Sequence, residues 1–194
     1  MRERQKELLE LLDKSGANLY ALLTRLTLRE DIAEELMQEL FIKLINSRSF
    51  DKAGNRQAYT RKAAINLAFD WRRRQKRNPL RLDQVREPAS NDSSPLGKLV
   101  QAEELDEILN AIGQMNKVPR EAFVMRYIQE EPYDYIAKQL DKTSHHVRAM
   151  CSRALNHLRD VLGSNRHKSF EKETHNVKNR RKPNPPSVES PLTD

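Results

Sequence analysis

Large apolar residues recur along this 194-residue chain at three- and four-residue spacing, a period that only an α-helix turns into a continuous face. Leu19, Leu22, Leu23 and Leu26 make one stripe, after an earlier run of Leu8, Leu11 and Leu12. Ile32, Leu36, Leu40 and Leu44 make the next, with Met37 and Phe41 beside them. The second half repeats the habit with Leu105, Ile108, Leu109, Ile112 and Met115, then Phe123, Val124 and Tyr127, then Tyr133, Ile136 and Leu140, then Val147, Cys151, Ala154, Leu158 and Val161. Strand-type alternation is absent, so the spacing predicts an all-α protein. Ser15 is expected to start the second helical run, and Asp31, Glu34 and Glu35 favour the start of the third against the helix dipole. Lys52-Ala53-Gly54-Asn55 reads as a loop, followed by a long helix from about Arg56 to Arg74.

The period fails between Asn78 and Gly97, where Pro79, Pro88 and Pro95 flank the run Ser90-Asn91-Asp92-Ser93-Ser94. Two small helical domains joined by a flexible linker are therefore expected: residues 1–77, a linker over 78–103, and residues 104–162. Residues 163–194 are polar, proline-bearing and expected to be disordered. With 37% hydrophobic and 32% charged residues, the chain can fill only cores the size of helical bundles of about a hundred residues or fewer, which excludes a large enzyme. No stretch approaches the roughly 20 apolar residues of a membrane span, and the N-terminus lacks an apolar signal core, so membrane insertion is not expected. One cysteine, Cys151, agrees with a reducing compartment, and a cytoplasmic protein is expected.

Charge is segregated. Residues 47–82 hold 11 basic and 2 acidic side chains, whereas residues 83–107 hold 2 basic and 7 acidic. The cationic segment also carries Tyr59, Phe69 and Trp71. Cations neutralise phosphates and aromatic faces stack on bases, so the mixture suits nucleic acid; the plainer alternative is a solvated helix face with a basic linker.

From Tyr133 to Met150 the spacing is that of a helix-turn-helix. Ala137 is small enough for two helices to cross closely, Asp141 can adopt the left-handed turn conformation, and Val147 and Met150 return apolar contacts. Thr143 or Ser144 can cap the second helix, leaving Ser144, His145, His146 and Arg148 toward a major groove. Two ordinary packed helices with a polar turn are the alternative. Asp141 stands where such turns usually have glycine, and Lys142 where they have an apolar residue.

Catalytic or cofactor chemistry finds no support: neither a Gly-x-Gly-x-x-Gly run nor a phosphate-binding Gly-Lys-Ser/Thr loop occurs among five glycines. His145, His146, Cys151 and His157 lack paired metal-ligand spacing, so no metal is expected and Cys151 reads as core.

Taken in order, the motifs resemble the sigma-70 family of RNA polymerase sigma factors, in its small extracytoplasmic-function form. Asp31-Ile32-Ala33-Glu34-Glu35-Leu36-Met37-Gln38-Glu39-Leu40-Phe41 is similar to the family's D-x-A-E-D-L-x-Q-E-x-F core-binding helix. The segment from Tyr59 to Arg74, with Asn66, Asp70 and Arg73 in place, is similar to W-L-x-x-I-A-x-N-x-x-x-D-x-x-R. Leu105 to Leu155 resembles the promoter-reading domain. Thr60, Tyr135, His146 and Met150 depart from the pattern, where an apolar residue, Glu, Thr and Arg are usual.

The resemblance implies a factor that binds core RNA polymerase through Glu35, Gln38 and Glu39, which share a helix face, with Ile45 extending the contact. It implies minus-ten recognition and melting by Tyr59, Arg61, Lys62, Asn66, Arg73 and Arg74, with the loop Phe50–Asn55 as a pocket for an unstacked base. Minus-thirty-five recognition falls to Ser144, His145, His146 and Arg148, with Arg153 on phosphate. The stretch Arg120-Glu121-Ala122-Phe123-Val124-Met125-Arg126 resembles the iron-uptake branch, which implies a membrane-bound anti-sigma partner. A helix-turn-helix regulator that works without polymerase is the competing reading.

Overall fold

The computed structural model describes the backbone of residues 2–77 and 95–179, and the side chains of residues 6–77 and 102–163. The described residues form helices and turns with no strand, in two packed domains. The stretch 78–94 and the end 180–194, where parts of the linker and the tail are expected, lie outside the described residues.

The first domain is built from α1 (Arg2–Thr27), α2 (Glu30–Asn46), α3 (Arg48–Asp51) and α4 (Arg56–Arg77). Ser15 does not begin a helix: α1 runs straight through it, and the Ser15 hydroxyl donates to the Leu11 carbonyl at 2.6 Å. That back-bond satisfies the hydroxyl inside a continuous helix, so the two expected runs become one element. Leu8, Leu19, Leu22, Leu23 and Leu26 bury one face of it against Ile32, Leu36, Leu40 and Leu44 of α2 and Ile65, Leu67 and Phe69 of α4. Leu28 turns the chain in the left-handed conformation, at φ 60°.

The one-turn α3 precedes the loop at residues 52–55, which is non-helical as expected, and its Ser47 cap accepts from the Phe50 amide at 3.2 Å. Phe50 is thereby buried in the core and is not available as the wall of a base pocket. Thr60 occupies a buried apolar position because its hydroxyl donates to the Arg56 carbonyl at 2.9 Å, leaving only its methyl to pack.

The second domain comprises α5 (Pro95–Gly113), α6 (Lys117–Phe123), α7 (Tyr133–Leu140) and α8 (Ser144–Asn179), with a π turn at Val124–Ile128 following α6. Pro119 lies in the first turn of α6, where its missing amide costs nothing. The backbone of α5 begins within the segment expected as linker, and that of α8 continues past Gly163, where the polar tail was expected to start. Ile136, Ala137 and Leu140 of α7 face Val147, Met150, Cys151, Ala154 and Leu158 of α8.

The two domains share one buried cluster, and a buried arginine ties them. Arg72 of α4 donates to the Leu26 carbonyl at the end of α1 at 3.2 Å, and to the Asp106 carbonyl and carboxylate of α5 at 3.1 and 2.6 Å. Helices α4 and α5 approach closely at Gly113, where an added Cβ would lie 3.2 Å from the Phe69 ring.

Candidate nucleic-acid interface

The helix-turn-helix forms as its chemistry requires. Asp141 takes φ 54° and ψ 53°, and the Lys142 amide reaches back to the Ala137 carbonyl at 3.0 Å, which closes α7 without a glycine. Thr143 caps α8, its hydroxyl accepting from the His146 amide at 3.2 Å. Ser144 is the other cap candidate; its hydroxyl bonds Asp134 of α7 instead. The first turn of α8 therefore starts at a fixed angle to α7, with His145, His146 and Arg148 exposed on it and Arg153 exposed a turn further on. The Arg148 guanidinium rests over the Tyr133 ring, 5.3 Å from its centroid, and so is positioned by an aromatic platform. Met150, expected as an apolar contact, is buried at the α7–α8 crossing. Cys151 is core as well, and burial pushes its thiol up to about 11.

Helix α4 presents a second cationic face, but one that the other domain covers in part. Asn66 makes three hydrogen bonds: its amide nitrogen donates to the Lys62 carbonyl at 2.8 Å and to Glu121 Oε1 at 2.9 Å, and its oxygen accepts from Arg120 Nη2 at 2.6 Å. Arg61, 11% exposed at its side chain, lies 3.4 Å from Glu131 Oε1 and 5.2 Å over the Tyr135 ring. Tyr135, which stands where the family pattern has Glu, thus supplies an aromatic face to α4. Arg25 of α1 adds a bond to the Ile128 carbonyl in the π turn at 2.8 Å. Lys62 is half-buried, whereas Arg73 and Arg74 are exposed, Arg73 bonded to Asp70 and Arg74 3.7 Å from Glu39. Tyr59 is half-buried; its hydroxyl meets the Ser47 hydroxyl at 2.9 Å and its ring meets Phe50 edge-on at 5.9 Å.

The domain boundary also buries ionisable groups. Arg120 is 1% exposed, donates to the Gly113 carbonyl at 3.3 Å and lies 5.0 Å over the Phe69 ring; desolvation lowers its pKa from the usual arginine value. Burial raises the pKa of its neighbour Glu121, against the opposing pull of the Asn66 bond and of Lys62, Arg120 and Lys117. Beside them an open cleft of about 510 Å³ lies between α4 and α5–α6, lined on both walls by Arg72, Arg73, Lys76, Lys117 and Arg120.

A third face lies on α2. Glu35, Gln38 and Glu39 are exposed together, as their spacing requires, because Leu36 and Leu40 turn into the core. Ile45 is half-buried against that core, and the exposed apolar residue of this face is Ile42, 60% accessible. Ile42 was legible in the sequence, four residues after Gln38 and out of phase with the buried stripe. Arg72, Arg120 and Glu121 had no such signal, since a contact between domains leaves no local period. Among the described residues no group of three or more His, Cys, Asp and Glu gathers as a metal site, and no described helix is long and apolar enough to cross a membrane.

Two helical domains, one carrying a helix-turn-helix and the other a cationic helix beside an exposed acidic face, are the framework of a bipartite DNA-binding protein. Residues 11–78 match the family described as Sigma-70 region 2, and residues 105–158 match Sigma-70, region 4. The chain belongs to the sigma-70 family, in the extracytoplasmic-function form. It is a sigma factor that binds core RNA polymerase and promoter DNA and directs transcription initiation. No curated protein matches it in sequence. Among solved structures, that of the sigma factor RpoE in complex with the anti-sigma factor NepR from Bartonella quintana is similar over 84% of this chain and 98% of that one, at 22% identity and a TM-score of 0.45.

Proposed function

We propose that the promoter is divided between the two domains residue by residue. Glu35, Gln38, Glu39 and Ile42 dock on core polymerase, with Ile45 supporting that face from beneath. Tyr59, Arg61, Lys62, Asn66, Arg73 and Arg74 meet the minus-ten strand, and Ser144, His145, His146, Arg148 and Arg153 meet the minus-thirty-five duplex. The observation that carries this reading is the first turn of α8, capped by Thr143 and exposing His145, His146 and Arg148 on a helix locked by Asp141. Base-edge contacts belong to that turn, while Arg153, further along, suits phosphate.

The protein acts in the cytoplasm and without catalytic chemistry of its own, and a membrane-bound anti-sigma factor holds it inactive. Transcription by core polymerase on a supercoiled promoter library tests the division. His146→Ala and Arg148→Ala are expected to relax preference at single upstream positions, at about 1–3 kcal/mol each, whereas Arg153→Ala weakens all promoters alike. An unchanged sequence preference in the first two variants overturns their assignment.

A further inference from the structure

We propose that the cleft between α4 and α5–α6 is a binding site for a nucleoside diphosphate. Its walls carry five cationic side chains, Arg72, Arg73 and Lys76 from α4 and Lys117 and Arg120 from α6, and among the described residues no carboxylate lines it. Two of these charges are answered within the protein, Arg72 by Asp106 and Arg73 by Asp70. The other three are not. Lys76 and Lys117 are exposed and form no ion pair among the described residues. Arg120, 1% exposed, forms none either: its guanidinium donates to neutral oxygens of Gly113 and Asn66, and its Nε has no hydrogen-bond partner. A charge buried to this extent ordinarily faces an opposite charge. Desolvation and then the like charge of Arg73 lower the Arg120 pKa, outweighing the pull of Asp70 and Glu121, so the cleft lacks negative charge.

Three cations around one space call for a compact anion of similar charge. A terminal phosphate supplies about −1.5 to −2 at neutral pH and an inner phosphate one more, roughly three in all. The volume of about 510 Å³ lies within the roughly 300–1,000 Å³ of small-molecule sites and leaves room beyond the phosphates. The rest of the lining suits a nucleoside: Leu109 and Met115 are apolar, and the exposed amides of Gln114 and Asn116 can each give and take a hydrogen bond at a base edge. Lys76 and Lys117 stand on opposite walls to reach the phosphates, with the Arg120 charge fixed beneath them. A nucleic-acid strand spreads its charges one phosphate at a time along its length, whereas these converge, which favours a small ligand. Neither lysine belongs to the residues assigned to promoter or polymerase. A ligand held from both walls also stabilises the pair of domains by mass action.

The experiment titrates the full chain with ADP and with GDP in calorimetry, and repeats each titration on Lys76→Ala combined with Lys117→Ala. A control with the same charge change, Lys6→Ala with Lys14→Ala, places it on exposed positions of α1, whose Glu7 meets Arg56 at the other end of α4 from the cleft. All four lysines are exposed, and circular dichroism checks that helicity is kept. The expected result is saturable binding of one nucleotide per chain, with AMP and inorganic pyrophosphate each about tenfold weaker, having lost one phosphate or the nucleoside. Affinity should fall about tenfold in the cleft variant and stay unchanged in the control. The unfolding midpoint should rise with ADP in the native chain and the control, and not in the cleft variant.

Absence of saturable binding by both nucleotides at about 1 mM overturns the proposal. An equal loss in the control does so too, because it marks the general attraction of a basic protein for anions. Pyrophosphate bound as tightly as the nucleotides would reduce the cleft to an anion site and overturn the assignment of a nucleoside diphosphate. Displacement of bound ADP by single-stranded DNA of mixed sequence, whose own binding needs Lys76 and Lys117, would assign the cleft to the promoter strand and overturn it as well.

Discussion

The exposed first turn of α8 and the covered face of α4 are both polar, basic helix surfaces, yet one is open and the other is covered. The difference lies in what each needs from outside its own domain. The α8 turn takes its cap from Thr143 and its angle from Asp141 and the α7 crossing, all within 18 residues from Tyr133 to Met150. The α4 face instead has its amide and guanidinium groups satisfied by residues more than 50 positions away, at Arg120, Glu121 and Glu131. A surface completed locally stays free for a ligand; one completed by a distant domain is free only when that domain leaves.

Breaking the tie between domains is expected to give the largest effect. Arg72→Ala would strand the Leu26 carbonyl and remove the ion pair to Asp106, whose carboxylate is a third exposed and keeps the bond from Asn110, at a cost of about 2 kcal/mol. Urea denaturation checks this: the midpoint should fall and the single transition should separate into two as the domains uncouple. A loss below about 1 kcal/mol would mean that apolar packing, not Arg72, holds the pair together.

The open face should respond more weakly and by itself. Thr143→Ala removes the N-cap of α8 and is expected to cost about 1 kcal/mol in thermal or urea unfolding, with the radius of gyration unchanged. If capping the recognition helix altered the spacing of the domains, the two faces would be coupled and the comparison would fail.

Much of this arrangement was legible in the residues. The 3.6-residue period located the helices, and the spacing from Ala137 through Asp141 to Val147 located the turn, including the left-handed Asp141. Ser15 misled because a serine ahead of leucines is chemically an N-cap or a back-bonding helix residue, and only the continuity of α1 decides between them. Phe50 is a similar case: Ser47 caps a single turn just ahead of the loop at residues 52–55, and that turn buries the ring, which no period in so short a segment reveals. The cover over Asn66 was illegible for another reason. Arg120 and Glu121 lie in α6 with no periodic relation to α4, and a buried polar contact of this kind is fixed by tertiary packing alone.

The smallest expected effect is a pH dependence of that cover. Glu121 sits at the end of α6, facing Asn66 and Lys62 on α4 and flanked by Arg120 and Lys117 on α6 itself, and burial raises its pKa above the ordinary glutamate value despite those cations. A carboxyl whose pKa is higher when covered than when free binds its proton more tightly in the covered state. Its contribution to closure is therefore fully present below the free value and is lost as pH rises through the covered value. Protonation also leaves the Asn66 bond in place, because the carboxyl carbonyl still accepts. Small-angle scattering between about pH 8 and about pH 5 should accordingly show the radius of gyration decreasing slightly toward the acid end in the native chain. Glu121→Gln, neutral at every pH and able to accept the same bond, should hold the compact radius across the range. A native radius that instead grows on acidification would exclude Glu121 as the group that governs closure.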